Sequence, residues 1–223
     1  MGSVLALLGV GGIPAVAAGG GGVLVNSTST VHETSGASAT FSFNNVAGTT
    51  ILVMIAGFGD NVTGVTYNGD ALSQVVVANN VNQDRCSIWR RTGAVDTGTN
   101  NVVISTDGSM EIYAVAVSLT GEDSGTPVDD FDSSSNASGA ANTATPALTS
   151  QTGGLVFDVT SAYNPTTLTR AGGLTVTLMN EPNGGALNSA AAGYGPGSAS
   201  FTAQWNFSPN SSYVHCAVAI APA

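Results

Sequence analysis

Val62-Thr63-Gly64-Val65-Thr66-Tyr67-Asn68-Gly69-Asp70-Ala71-Leu72-Ser73-Gln74-Val75-Val76-Val77-Ala78 is the stretch on which the fold turns. Asn-Gly stands between two alternating runs. A type I′ turn needs positive φ at both central residues, and Asn followed by Gly is the pair that supplies it most readily. The segment therefore predicts a β-hairpin with its turn at Asn68-Gly69. Working outward, the same style of writing fills the chain: short apolar or alternating runs, each closed by Gly, Asn, Asp or Pro. No stretch shows the i, i+3, i+4, i+7 spacing of an amphipathic helix. The expected strands are Ala39–Phe43, Thr50–Phe58, Val62–Tyr67, Ala71–Ala78, Arg85–Arg91, Asn101–Thr106, Met110–Leu119, Gly154–Ser161, Leu174–Asn180, Ala186–Gly193, Ala199–Asn206 and Tyr213–Ala219. Further turns are expected at 97–101 and at Asp107-Gly108.

Four runs are more continuously apolar than the rest: Ile51–Phe58, Ile112–Leu119, Leu155–Val159 and Val214–Ile220. These are the expected central strands. The chain thus reads as all-β, a jelly-roll-like β-sandwich of about ten to twelve antiparallel strands in two face-to-face sheets. Residues 23–223 form one sandwich domain in this reading, with a long acidic surface loop over 121–152. Residues 1–22 carry no charged side chain and are rich in glycine, which sets them apart as an extended N-terminal arm. They lack the basic start of a secretory signal, and their glycines and Pro14 interrupt any membrane-spanning helix. An arm with no polar face is hard to bury on one small domain, so Leu5, Leu7, Leu8, Val10, Ile13 and Val16 are expected to pack between subunits of an assembly.

Composition excludes several jobs. The 223 residues hold 14 acidic and 4 basic side chains, net charge −10, and no lysine at all. Such a surface is repelled by phosphate backbones and anionic headgroups, so neither a nucleic acid nor a membrane is an expected partner. Without lysine there is no Schiff base and no Walker-type phosphate loop. Cys86 and Cys216, the only cysteines, match no metal spacing. They read as two small buried free thiols, with one disulfide across a sheet as the alternative. The acidic cluster Glu122, Asp123, Asp129, Asp130 and Asp132 lacks the spacing of a calcium loop and reads as a solvated loop. No metal and no cofactor are expected.

A hydrolase would need a base from His32 or His215 and a carboxylate from a strand. Only Glu111 and Asp158 lie within expected strands, where a solvent-facing position explains each, and neither histidine has a motif around it. The chain is therefore not expected to be an enzyme. Trp89 and Trp205 are the candidates for stacking on a glycan, provided that their faces are exposed. Arg90 and Arg91 form the one local basic patch and would suit a neighbour's acidic loop in a homo-oligomer.

Five segments then carry a resemblance: Val65-Thr66-Tyr67-Asn68-Gly69-Asp70-Ala71-Leu72, Ser87-Ile88-Trp89-Arg90-Arg91, Gly98-Thr99-Asn100-Asn101-Val102-Val103-Ile104, Ala114-Val115-Ala116-Val117-Ser118-Leu119-Thr120-Gly121 and Ala217-Val218-Ala219-Ile220-Ala221-Pro222-Ala223. Together they resemble a family of jelly-roll-type β-sandwich modules of tailed-phage virion proteins and bacterial surface proteins, over roughly residues 40–223. The resemblance implies fold and setting, and carries over no catalytic residue. The expectation is a non-enzymatic virion structural protein, a bacteriophage capsid decoration, cement or head-surface protein that self-associates through its arm. Its partners would be itself and a major capsid or other virion protein. The alternative is a carbohydrate-binding or adhesive module of a phage tail or cell surface.

Overall fold

In the computed structural model, which describes residues 22–223 apart from 48, 94, 144–146, 164, 166 and 183–187, Asn68 and Gly69 both take positive φ, 50° and 84°. Tyr67 pairs with Asp70 and Thr66 with Ala71, so the two-residue turn falls where it was expected. The hairpin is shorter than expected. At Leu72, whose N–H still bonds to Val65 O at 2.9 Å, the chain leaves this partner and crosses to the opposite edge of the sheet.

The described residues form thirteen strands and no helix. They are β1 (Leu24–Asn45), β2 (Thr50–Gly59), β3 (Val62–Tyr67), β4 (Asp70–Ala71), β5 (Ser73–Asn79), β6 (Asp84–Thr92) and β7 (Gly98–Thr120) in one sheet. The second sheet holds β8 (Val128–Asn142), β9 (Leu155–Tyr163), β10 (Thr167–Gly172), β11 (Val176–Glu181), β12 (Asn188–Pro196) and β13 (Ala203–Ile220). All pairings are antiparallel, and the two sheets pack face to face as a sandwich.

The four continuously apolar runs are central because both of their faces are covered. Alternation along β2 sends Leu52, Met54 and Ala56 into the core between the sheets, and Ile51, Val53 and Ile55 into a second core behind the first sheet. β9 and β13 do the same, with Phe157, Val159, Val214, Cys216 and Val218 between the sheets and Val156, Ala217 and Ala219 behind the second one. A strand buried on both faces has no position for a polar side chain unless that side chain finds a partner.

The outer covers come from the same long strands. β7 pairs with β2 over 110–119, turns a corner through Asp107–Ser109, and pairs with β3 over 102–106. Thr106 Oγ1 donates to Gly108 O at 2.6 Å, and Asn61 N donates to Asp107 Oδ1 at 2.7 Å, which holds the corner. Phe41, Phe43, Val102 and Ile104 are thereby folded onto the back of β2. In β13 the corner lies between Asn206 and Ser211, and it folds Ala203, Trp205 and Phe207 onto the back of β9.

The two sheets repeat one plan. In the first, β1 lies on β7, β2 lies between β6 and β7, β3 lies on the far half of β7, and β5 lies on β6. In the second, β8, β9, β10, β11, β12 and β13 make the same pairings in the same order, and two-residue β4 alone lacks a counterpart. Register follows suit: Leu52 faces Val117 across one pair, and Phe157 faces Val218 across the other. The halves meet through β2 and β9, where the rings of Phe58 and Tyr163 stand 6.3 Å apart. The contact is lopsided, because β5 and β6 of the first half lie close on β13 and β5 also on β8, without a comparable approach of β11 and β12 to β7 and β1.

Several expectations change. The stretch 121–152 is not one irregular loop, because residues 128–142 form β8, hydrogen-bonded along β13. β8 has no apolar alternation to announce it, since it is an edge strand held by its backbone. The first strand starts at Leu24 rather than Ala39, and β10 was not expected. The pairs 101–106 with 110–119, and 199–206 with 213–219, run together as β7 and β13, because Asp107-Gly108 is a corner within a strand rather than a turn between two. Leu5, Leu7, Leu8, Val10, Ile13 and Val16 lie outside the described residues.

Candidate functional site

Each histidine of the chain stands against a carboxylate, one cluster in each half. In the first half His32 of β1 is the register partner of Tyr113 in β7, and its ring stacks on the phenol at 4.1 Å and 15°. Glu111, one pleat along on the same face as Tyr113, accepts the Tyr113 hydroxyl at 2.6 Å on Oε1, and His32 Nε2 lies 3.2 Å from the same oxygen. Tyr113 OH also lies 3.4 Å from Asn188 O across the interface between the halves. Burial, with the Glu111 charge beside it, pushes the Tyr113 phenol well above its ordinary range, so it stays a neutral donor. The His32 side chain is about a quarter exposed and Glu111 is buried, so only the imidazole edge meets solvent.

In the second half Asp158 of β9 and His215 of β13 both point into the core behind the sheet. Asp158 Oδ2 accepts the indole N–H of Trp205 at 2.7 Å and lies 2.7 Å from His215 Nε2. All three residues are 0% exposed. Gly193, opposite Asp158 in β12, lets β11 close in, since a Cβ there would sit 2.7 Å from Val176 O. Asp158 Oδ1 and His215 Nδ1 are buried without a hydrogen-bond partner among the described residues. This is the orientation of a His–Asp pair, yet it is sealed beneath Trp205, Phe207 and Leu168. The arrangement is a closed hydrogen-bonded pair that offers a substrate no approach.

A third polar knot joins the halves. Asp84 at the start of β6 accepts Asn80 Nδ2 at 2.6 Å and Ser212 Oγ at 3.0 Å on Oδ2, while Asn80 Oδ1 accepts the Asp84 N–H at 3.1 Å. Burial outweighs these hydrogen bonds and pushes the Asp84 carboxyl up to about 6.

The remaining candidates are corrected or placed as follows. Glu111 and Asp158 are not solvent-facing strand acids, being 6% and 0% exposed. Trp89 and Trp205 are core residues at 7% and 0% exposure, with their indole N–H groups spent on Ser87 Oγ and Asp158, so neither has a face free for a sugar. Arg91 pairs with Asp70 Oδ2 at 2.7 Å within the chain, and burial lowers the basicity of its half-buried neighbour Arg90. The acidic residues of 121–152 hold that segment in place. Asp129 accepts Gln151 N and Nε2, Asp130 accepts Thr149 N, and Asp123 accepts Gly125 N and Thr126 N, which keeps its carboxyl below the usual range. Among the described residues no three of His, Cys, Asp and Glu gather as a metal-ligand group. Cys86 and Cys216 are free and buried, face to face between the sheets.

Comparison with protein-family models, with curated proteins and with solved structures returns no match to this chain. The class that fold and sites define is an all-β, two-sheet sandwich with internalised polar networks.

Proposed function

We propose that the protein is a non-enzymatic structural component of a virus particle, a capsid decoration or head-surface protein of the tailed-phage kind that self-associates through residues 1–22. One observation carries the first half of this reading: both histidines and the carboxylates beside them, His32, Glu111, Asp158 and His215, are consumed in internal hydrogen-bonded clusters. Three of the four are buried, and His215 and Asp158 have no solvent contact at all. Support for the second half comes from the sequence. An uncharged apolar arm precedes a domain of net charge −10, and such an outer surface keeps particles soluble and apart from nucleic acid. The glycan-binding alternative rested on Trp89 and Trp205 and has lost that support.

The test is to compare the full chain with a chain beginning at Val23 by sedimentation velocity. An oligomer that collapses to monomers when the arm is removed is the expected result. Equal oligomers from both chains would remove the arm from the assembly and overturn this reading.

A further inference from the structure

Cys86 and Cys216 lie 130 residues apart in sequence, in opposite halves of the duplicated plan, yet their Sγ atoms stand 2.8 Å apart between the sheets. Cys86 is near the start of β6, paired with Ala56 on one side and Ala78 on the other. Cys216 is in the second half of β13, paired with Val159 and with Ser133. Small side chains around Cys86 let β5 and β6 settle closely onto β13, and the two thiols are what fills the contact. By the shared pairing of strands, the matching positions are Ala190 of β12 and Val115 of β7, so the pair of thiols has no counterpart in the repeated plan.

We propose that Cys86 and Cys216 are a disulfide site, a covalent staple between the two sheets and therefore between the two halves of the fold. The bond forms with a low-molecular-weight disulfide as oxidant. The thiolate of one cysteine attacks that disulfide, whose S–S bond breaks, leaving a mixed disulfide and one small thiol. The thiolate of the second cysteine then displaces the other small thiol, so that two protein thiols are oxidised while one small disulfide is reduced to two thiols. Both sulfurs are sealed, at 2% and 0% exposure, and burial holds the Cys86 thiol protonated, so exchange runs before the sheets close. Once closed, the fold shields the bond from reductant.

The full chain itself provides the test. It is unfolded with reductant, refolded by dilution into a mixture of oxidised and reduced glutathione, and digested with trypsin without reduction. The chain has only Arg85, Arg90, Arg91 and Arg170 as cleavage sites, so Cys86–Arg90 and 171–223 are released as separate peptides unless joined. The expected result is one linked species, and no free thiol titratable in denaturant. Thermal unfolding of the oxidised protein should drop by about 10 °C when it is fully reduced, given the stabilisation typical of a cross-link closing a loop of this size. A C86A chain, with no staple to lose, should show no such drop. Two titratable thiols after oxidative refolding, with the tryptic peptides unlinked, would overturn the proposal. So would an unfolding temperature that reduction leaves unchanged in the cross-linked native chain.

Discussion

Asp158 shows most plainly what one residue does in this fold. A carboxylate at the centre of an apolar core is tolerable only because the Trp205 indole and the His215 imidazole both meet it at 2.7 Å. Asp158→Ala should cost about 3–5 kcal/mol, since it leaves two buried donors without an acceptor. The double variant D158L/H215L should cost clearly less than the sum of its single changes, with a coupling of about 1–3 kcal/mol. Urea unfolding of the four chains measures this, and additive costs would mean that the pair does not act as a unit. Asp84 gives a pH dependence with a definite sign. Its carboxyl is pushed up to about 6, so the folded chain binds this proton more tightly than the unfolded one does. The contribution is therefore full below the unfolded value near 4 and declines as pH rises to about 6, by about 3 kcal/mol at most. Asp84→Asn should remove that decline, gaining on the native chain in urea midpoint between pH 4.5 and pH 7. A gap that closes over this range instead would reverse the assignment.

Among the elements, β2 and β7 depend on close backbone approach at Gly57. A Cβ there would stand 2.1 Å from Glu111 O and 2.4 Å from Met110 Cε, and the first of these is backbone that cannot step aside. Gly57→Ala should lower stability by about 1–3 kcal/mol or more, whereas Gly64→Ala in β3, with nothing within 4 Å, should be close to neutral. Denaturation midpoints of the two variants decide this, and equal effects would contradict the register described for β2. Legibility in the sequence follows the same division between elements. The hairpin at Asn68-Gly69 and the four central runs were readable because their turn chemistry and their two buried faces dictate residue types. β8 was not, for its Asp129-Asp130-Phe131-Asp132-Ser133 run docks through backbone bonds along β13 and needs no apolar face. The His215–Asp158 pair was half legible: both residues were picked out, but the layer that buries them comes from the far end of β13, beyond a corner that alternation does not reveal. The duplication was hidden for a related reason. Matching positions do not keep their residue types, since Leu52 matches Phe157 but Val53 matches Asp158 and Ala114 matches His215, while the shared plan resides in the pairing of strands.

At the scale of the whole molecule, two like halves bury a common core and turn their histidines and strand carboxylates inward or against one another. What remains for the outside of the described residues is a surface of few charges, mostly negative, and in the proposed reading the apolar residues 1–22 supply the contact between copies. Hydrophobic surface of that length is costly to leave in water, and a neighbouring copy is the cover that the proposed role requires. The most direct test is the mass of the full chain in solution, measured by light scattering across a wide concentration range beside the full-length variant L5D/L8D. The account predicts a defined multiple of 22.0 kDa for the native chain and 22.0 kDa for the variant, with unchanged circular dichroism. A native chain that stays at 22.0 kDa at every concentration would contradict it.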